Sequence, residues 1–269
     1  PKTACAPGQF RTRHQLAEGV LLAVRAWFSG SIRLLADGAY ANQSIIGPAV
    51  DLGITLISRL RGDARLYAPQ PARRSKSKRG RKPKFGARLP ALSRMARTRS
   101  AFKPHQVRIY GKSVALLLRE FEAYWPAVRR VVKVVITRDP KRPKRAAYLL
   151  SLDRSSSAVT VVEAFAQRWT IEQLFSVAKN QMGLDTAEVR KERSVVRHAA
   201  LCKALITWTE VWAHVARPHL AARTFSAKLT ALRTSTITET IFSSGPRTKG
   251  SRRIAKGLAS IFTTATSAA

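Results

Sequence analysis

The chain has 269 residues, 45% of them hydrophobic, enough for one elaborated domain or two small ones with a true core. Its 49 Lys and Arg against 15 Asp and Glu give a net charge of +34 and a pI near 11.7. Such a balance draws polyanions and puts nucleic acid first among partners, although a ribosomal-type structural protein or an Arg-rich coding bias gives the same balance. Cys5 and Cys202 lie far apart with no CxxC partner, so neither a disulfide framework nor a zinc ribbon is indicated. The histidines have no HExxH spacing. No signal peptide is present and no apolar run is long enough to span a bilayer, so the reading is a reducing cytoplasm and no membrane partner. The sequence begins at Pro1 rather than Met, as expected of a chain that lacks upstream residues.

Residues 1–12 read as a loop. Gln15 to Phe28 follows as an amphipathic helix, with Leu16, Val20, Leu21, Val24 and Trp27 at helical spacing and Ser29-Gly30 to end it. The short apolar run Ser31 to Ala36 is strand-like and delivers Asp37-Gly38-Ala39-Tyr40. A helix from Ala41 to Leu52, closed by Gly53, leads to a second buried strand, Ile54 to Ser58. Helix–strand–helix–strand at this spacing predicts an α/β layer with parallel strands. Asp37 then stands at the carboxyl end of its strand, where open α/β sheets place their chemistry. Asp-Gly is also a common turn pair, so a plain turn is the competing reading.

The composition shifts after Tyr67. Residues 73–84 hold eight cations in twelve positions and no large apolar side chain, so they cannot pack. Within them, Arg79, Arg81 and Lys82 loosely resemble an arm suited to narrow A·T minor grooves, and a solvated basic linker is the alternative. Three β-rich runs come next, at Gln106–Tyr110, Val128–Thr137 and Ala146–Leu152. Gly111-Lys112-Ser113 is not a P-loop, because Gln106 stands where the first glycine is required. Asp139 and Asp153 read as turn residues. One long helix is expected from Ser157 to Met182, stopped by Gly183, and another from Arg193 to Ala216. Beyond Ala221 the periodicity decays into a basic Ser, Thr and Ala-rich tail.

The Ser157–Met182 helix carries the most informative pattern. Taking Glu172 as zero and about 100° per residue, Lys179 falls near −20°, Arg168 near −40° and Phe165 near +20°. A carboxylate set between two cations and walled by Trp169 and Phe175 is unusual on a helix that reads as mostly buried, since buried charge is costly unless paired or metal-bound. A plain i,i+4 pair of Arg168 with Glu172 is the simpler reading. The full spacing, aromatic-x2-Arg-x3-Glu-x6-Lys, resembles the Tyr-x2-Arg-x3-Glu-x6-Lys signature of insertion-sequence transposases with a DDE nuclease core. Phe165 replaces the tyrosine, and Arg168, Glu172 and Lys179 match. Leu34 to Tyr40 and Leu56 to Tyr67 likewise resemble the family's second-aspartate strand and the segment after it.

This resemblance implies an α/β fold with a partial ribonuclease-H-like core and a β-rich insertion between the second Asp and the Glu helix. The implied organisation is a partial core at 1–60, a basic β-rich insertion at 61–155, the Glu-bearing and C-terminal helices at 156–220, and a tail at 221–269. Asp37 and Glu172 would be catalytic, metal-binding carboxylates for two Mg²⁺ ions, or Mn²⁺. Phe165, Arg168 and Lys179 would bind DNA near the reacting end, with Arg79, Arg81 and Lys82 adding contacts. The implied partners are terminal inverted repeats and target DNA, in a synaptic complex of a homodimer in the bacterial nucleoid. The family's first Asp has no counterpart, because the acidic residue before Asp37 is Glu18, mid-helix. The chain therefore reads as an amino-terminally truncated transposase, inactive by itself, and the alternative is a non-catalytic DNA-binding protein.

Overall fold

The computed structural model describes residues 10–70, 84–186, 188 and 191–243. The chain divides into two compact units, Pro1–Trp169 and Thr170–Ala269. The first is mixed α/β, built on one curled six-stranded sheet. Helix α1 (Arg13–Trp27) starts at a capping box, in which Thr12 and Gln15 each accept the other's backbone N–H. Strand β1 (Ile32–Ala36), helix α2 (Gln43–Asp51) and strand β2 (Ile54–Arg59) follow, and Gly53 closes α2 as expected. β1 and β2 pair in parallel, from Ile32 against Ile54 to Ala36 against Ser58, as the helix–strand alternation predicts.

After the short helix α3 (Leu92–Met95) comes an antiparallel meander of β3 (Lys103–Ile109), β4 (Lys112–Trp125), β5 (Arg130–Asp139) and β6 (Arg142–Ser151). The strand order is β1-β2-β6-β5-β4-β3, so β6 joins the meander to the parallel pair. The sequence reading missed β4, whose Leu117-Leu118-Arg119-Glu120 centre is made of good helix formers. Pairing with β3 on one side and β5 on the other overrides that propensity. The rejected P-loop is the β3–β4 hairpin turn. Tyr110 and Gly111 take φ of 51° and 75°, the left-handed pair that a two-residue hairpin turn needs. Asp139 and Asp153 are turn residues, as expected, each accepting a backbone N–H two positions on.

The sheet has a core on each face. On one, Ile45, Ile46, Leu56, Leu92, Val132, Val134, Ile136 and Leu150 pack beneath α1, α2 and α3. On the other, Ile57, Val107, Leu118, Val135 and Leu149 meet helix α4 (Ala158–Ala166) through Val161 and Val162. Full burial of each such aliphatic side chain contributes about 1.5–3 kcal/mol. Glu163 on α4 accepts the backbone N–H of Arg108 at 2.8 Å, which ties the helix to the outer edge of β3.

The long helix expected from Ser157 to Met182 is not continuous. α4 ends at Ala166, a 3-10 turn spans Gln167–Trp169, and α5 (Thr170–Asn180) begins the second unit. Nor is α5 mostly buried: Ala178 is its one buried residue, and Ile171, Leu174 and Phe175 are exposed. The second unit continues with α6 (Glu192–Ala216), close to its expected bounds, and α7 (Phe225–Ser243), a helix where decaying periodicity suggested none. Lys228 on α7 is buried and ion-paired to Glu210 on α6 at 2.7 Å.

Candidate active site

Asp37 stands immediately past the carboxyl end of β1 and is exposed. Its Oδ1 accepts the N–H of Gly38 at 2.8 Å and caps the 3-10 turn Gly38–Tyr40, so the turn chemistry of Asp-Gly is realised. Its backbone carbonyl accepts the hydroxyl of the buried Ser58 at 3.1 Å, which fastens the end of β1 to β2. A Cβ on Gly38 would stand 3.2 Å from the carbonyl oxygen of Arg59, a tight contact where this turn passes the end of β2.

The sequence reading did not single out His14 or Asn42, which brace the same turn. The Asn42 amide donates to the Ala39 carbonyl at 2.9 Å and lies 3.1 Å from His14 Nε2. The His14 ring meets Tyr40 edge-on, with centroids 5.9 Å apart. No spacing rule marks this pair, because the contact is between α1 and a loop 28 positions later.

The first unit also brings part of the helical signature to the Asp37 strand. Phe165, half-buried, packs into the α4-side core together with Leu35, two residues before Asp37. The Arg168 guanidinium lies 5.8 Å from the Phe165 ring centroid, within cation–π range. The 3-10 turn that carries Arg168 packs against β1.

Glu172 and Lys179 belong to the second unit, seven residues apart on α5. Glu172, half-buried, is in the first turn and Lys179 in the last, the arrangement that complements the helix dipole. Lys179 Nζ is 3.7 Å from Asp185, with both side chains about half exposed, so this ion pair adds little stability. Arg79, Arg81 and Lys82 lie outside the described residues.

Asp37 offers a hard carboxylate oxygen, the donor type that Mg²⁺ and Mn²⁺ take, and Glu172 offers the same chemistry. Among the described residues no three His, Cys, Asp or Glu side chains gather into a metal-holding group. Asp153 is already committed: hydrogen bonds from Ser155 and then Ser156 lower its carboxyl to about 2. The Arg61 guanidinium likewise holds Asp63 below the usual carboxylate range.

No helix among the described residues is long and apolar enough to cross a membrane. The profile of the family described as "Transposase DDE domain" matches residues 4–208, which include both halves of the signature and Asp37. No curated protein matches the chain.

Proposed function

The chain belongs to the transposase DDE domain family, and from that premise we propose that it acts in DNA transposition by metal-dependent cleavage and transfer of DNA strands at element ends. Membership carries a transposition-related function, a DNA substrate and chemistry that generally uses divalent metal ions. The observation that supports the finer reading is the packing of the Phe165–Arg168 turn against the strand that presents Asp37. A guanidinium carried beside that strand end is the kind of group that a reacting phosphodiester needs.

Asp37 and Glu172 are the carboxylates assigned to hold the metal, two Mg²⁺ ions or Mn²⁺. When bound, such a pair activates the attacking water or 3′-hydroxyl and offsets charge on the leaving oxygen. Arg168 holds one phosphate of the substrate strand by its planar fork, a geometry that lysine does not reproduce. Phe165 supports that guanidinium from below, and Lys179 holds a second phosphate as a point charge. Arg79, Arg81 and Lys82 add phosphate contacts farther along the duplex. Terminal inverted repeats and target DNA are the partners, in a synaptic homodimer.

Binding without cleavage is the second reading. One observation favours it: the net charge of +34 is enough to hold DNA phosphates with no strand chemistry. A Mn²⁺ titration followed by electron paramagnetic resonance, run beside a nicking assay on element-end DNA, tests both readings. The catalytic reading expects Mn²⁺ binding that weakens at least tenfold (about 1.4 kcal/mol) in Asp37→Asn and in Glu172→Gln, with nicking lost in both. Mn²⁺ binding unchanged in either variant would remove that residue from the metal site. DNA binding with no nicking by the parent would leave the second reading.

A further inference from the structure

No Asp or Glu occurs between Asp63 and Glu120, a stretch that holds 17 Lys and Arg. Among the described residues, Arg94, Arg97, Arg99 and Arg108 of this stretch share one side of the meander. Leu118 packs on the α4 side of β4, so Glu120 and Glu122, even-numbered like it, project to that same side. There Glu120 pairs with Lys133 and Glu122 with Arg154, each at 3.1 Å, and Glu163 is taken by the β3 edge. Glu120, Glu122 and Glu163 are thus engaged on the α4 side, and Asp139 at the β5–β6 turn accepts the N–H of Lys141.

The opposite face carries α3 and the 3-10 turn Arg99–Ala101. Arg94, Arg97 and Arg99 are all exposed on this layer. Val107 packs on the α4 side, so Gln106 and the exposed Arg108 alternate onto the α3 side, where Ser113 donates to Gln106 at 3.2 Å. Two more arginines lie under the layer. Arg119 donates to the Met95 carbonyl at the end of α3, at 3.1 Å, and Arg138 lies 5.4 Å from the Phe102 ring. Asp63, the nearest acidic residue upstream, is engaged by both Arg61 Nε and Nη2, at 3.0 and 3.2 Å.

We propose that this α3-side face, led by Arg94, Arg97, Arg99 and Arg108, is a docking surface for the sugar–phosphate backbone of double-stranded DNA. The inference rests on the proposed DNA substrate but not on catalysis. Pro104 to Arg108, the α3-side positions of β3, alone extends about 14 Å at strand rise, a length that faces about four phosphates of one strand. The exposed guanidiniums suit phosphate oxygens, and Gln106 and Ser113 are side chains of the kind that contact backbone. The surface positions the duplex and reads no sequence.

The test measures binding of the whole chain to labelled duplex DNA across a salt series in EDTA, so that cleavage plays no part. Two charge-matched triples are compared: Arg94→Ser/Arg97→Ser/Arg99→Ser, and Arg193→Ser/Arg197→Ser/Lys203→Ser on exposed positions of α6. The first should flatten the slope of log affinity against log salt by about 2–3, at about 0.9 for each phosphate no longer neutralised. The second should change it by less than half as much. Lysine at the three α3-side positions should restore the slope. Equal flattening by both triples would overturn the surface in favour of diffuse charge, as would competition by duplex RNA equal to that by DNA. A chain that binds through this face but never nicks would defeat the catalytic reading alone.

Discussion

The two units differ in how much of their apolar surface they use. In the first, β5 lies between two helical layers, and Val132, Val134, Val135 and Ile136 are fully buried. In the second, α6 buries Cys202, Ile206, Thr209 and Ala213 but leaves Leu201, Trp208, Val211 and Val215 exposed, Trp208 by 62%. The sheet unit therefore holds its stability in side chains that have no freedom to relax. The helical unit holds it in a narrow seam, crossed by the ion pair of the buried Lys228 with the partly exposed Glu210. Equal-sized truncations should have unequal costs in the two.

The largest expected effect is Leu56→Ala, at a fully buried position of β2. It should lower unfolding stability by about 2–5 kcal/mol, the range for leucine-sized cavities, read from a denaturant midpoint. A loss below about 1 kcal/mol would place the core elsewhere and end the comparison.

An intermediate effect is expected at the entry to α4. Asp153→Asn should cost about 1 kcal/mol at neutral pH, because charge-assisted bonds from Ser155 and Ser156 are weakened and solvent screens part of the loss. The Asp153 carboxyl is depressed in the folded chain, so its contribution is complete above its ordinary value of 3.8. It disappears as pH falls through about 2, and the parent and variant stability curves should converge across that window. Parallel curves there would contradict the hydrogen-bonded turn.

The smallest effect is expected for Trp208→Gln. The side chain is mostly exposed, so the variant should stay within about 0.5 kcal/mol of the parent in thermal unfolding. A loss of several times that would mean the α6 face is covered in solution, and the contrast between the units would vanish.

The β1–α2–β2 unit was legible in the sequence because each signal is local: an apolar run, a helical period and a glycine stop. Asp37 at a strand end followed from the same signals, and the bounds of α6 from its periodicity. The helix bearing the signature was legible as a pattern and misread as an object. Counting at a constant 100° per residue from Phe165 to Lys179 assumes an unbroken helix, and the 3-10 turn at Gln167–Trp169 ends that assumption. Strand β4 was hidden for a different reason, since its helix-forming residues are held extended by neighbours on both sides. The bracing of Asp37 by His14 and Asn42 has no local trace, because it exists only once α1 is docked beside α2.

The bond from Glu163 to the Arg108 N–H also bears on self-association. β3 is an edge strand, and an edge strand with free N–H groups is a template on which another chain can add and aggregate. Here one edge donor is occupied by a carboxylate, and charge-assisted bonds of this kind are roughly twice as strong as neutral ones. An incoming strand would have to displace that carboxylate while bringing its own dipoles up to a strongly basic hairpin. The contact that seats α4 on the sheet thereby also blunts the β3 edge against pairing with a second copy.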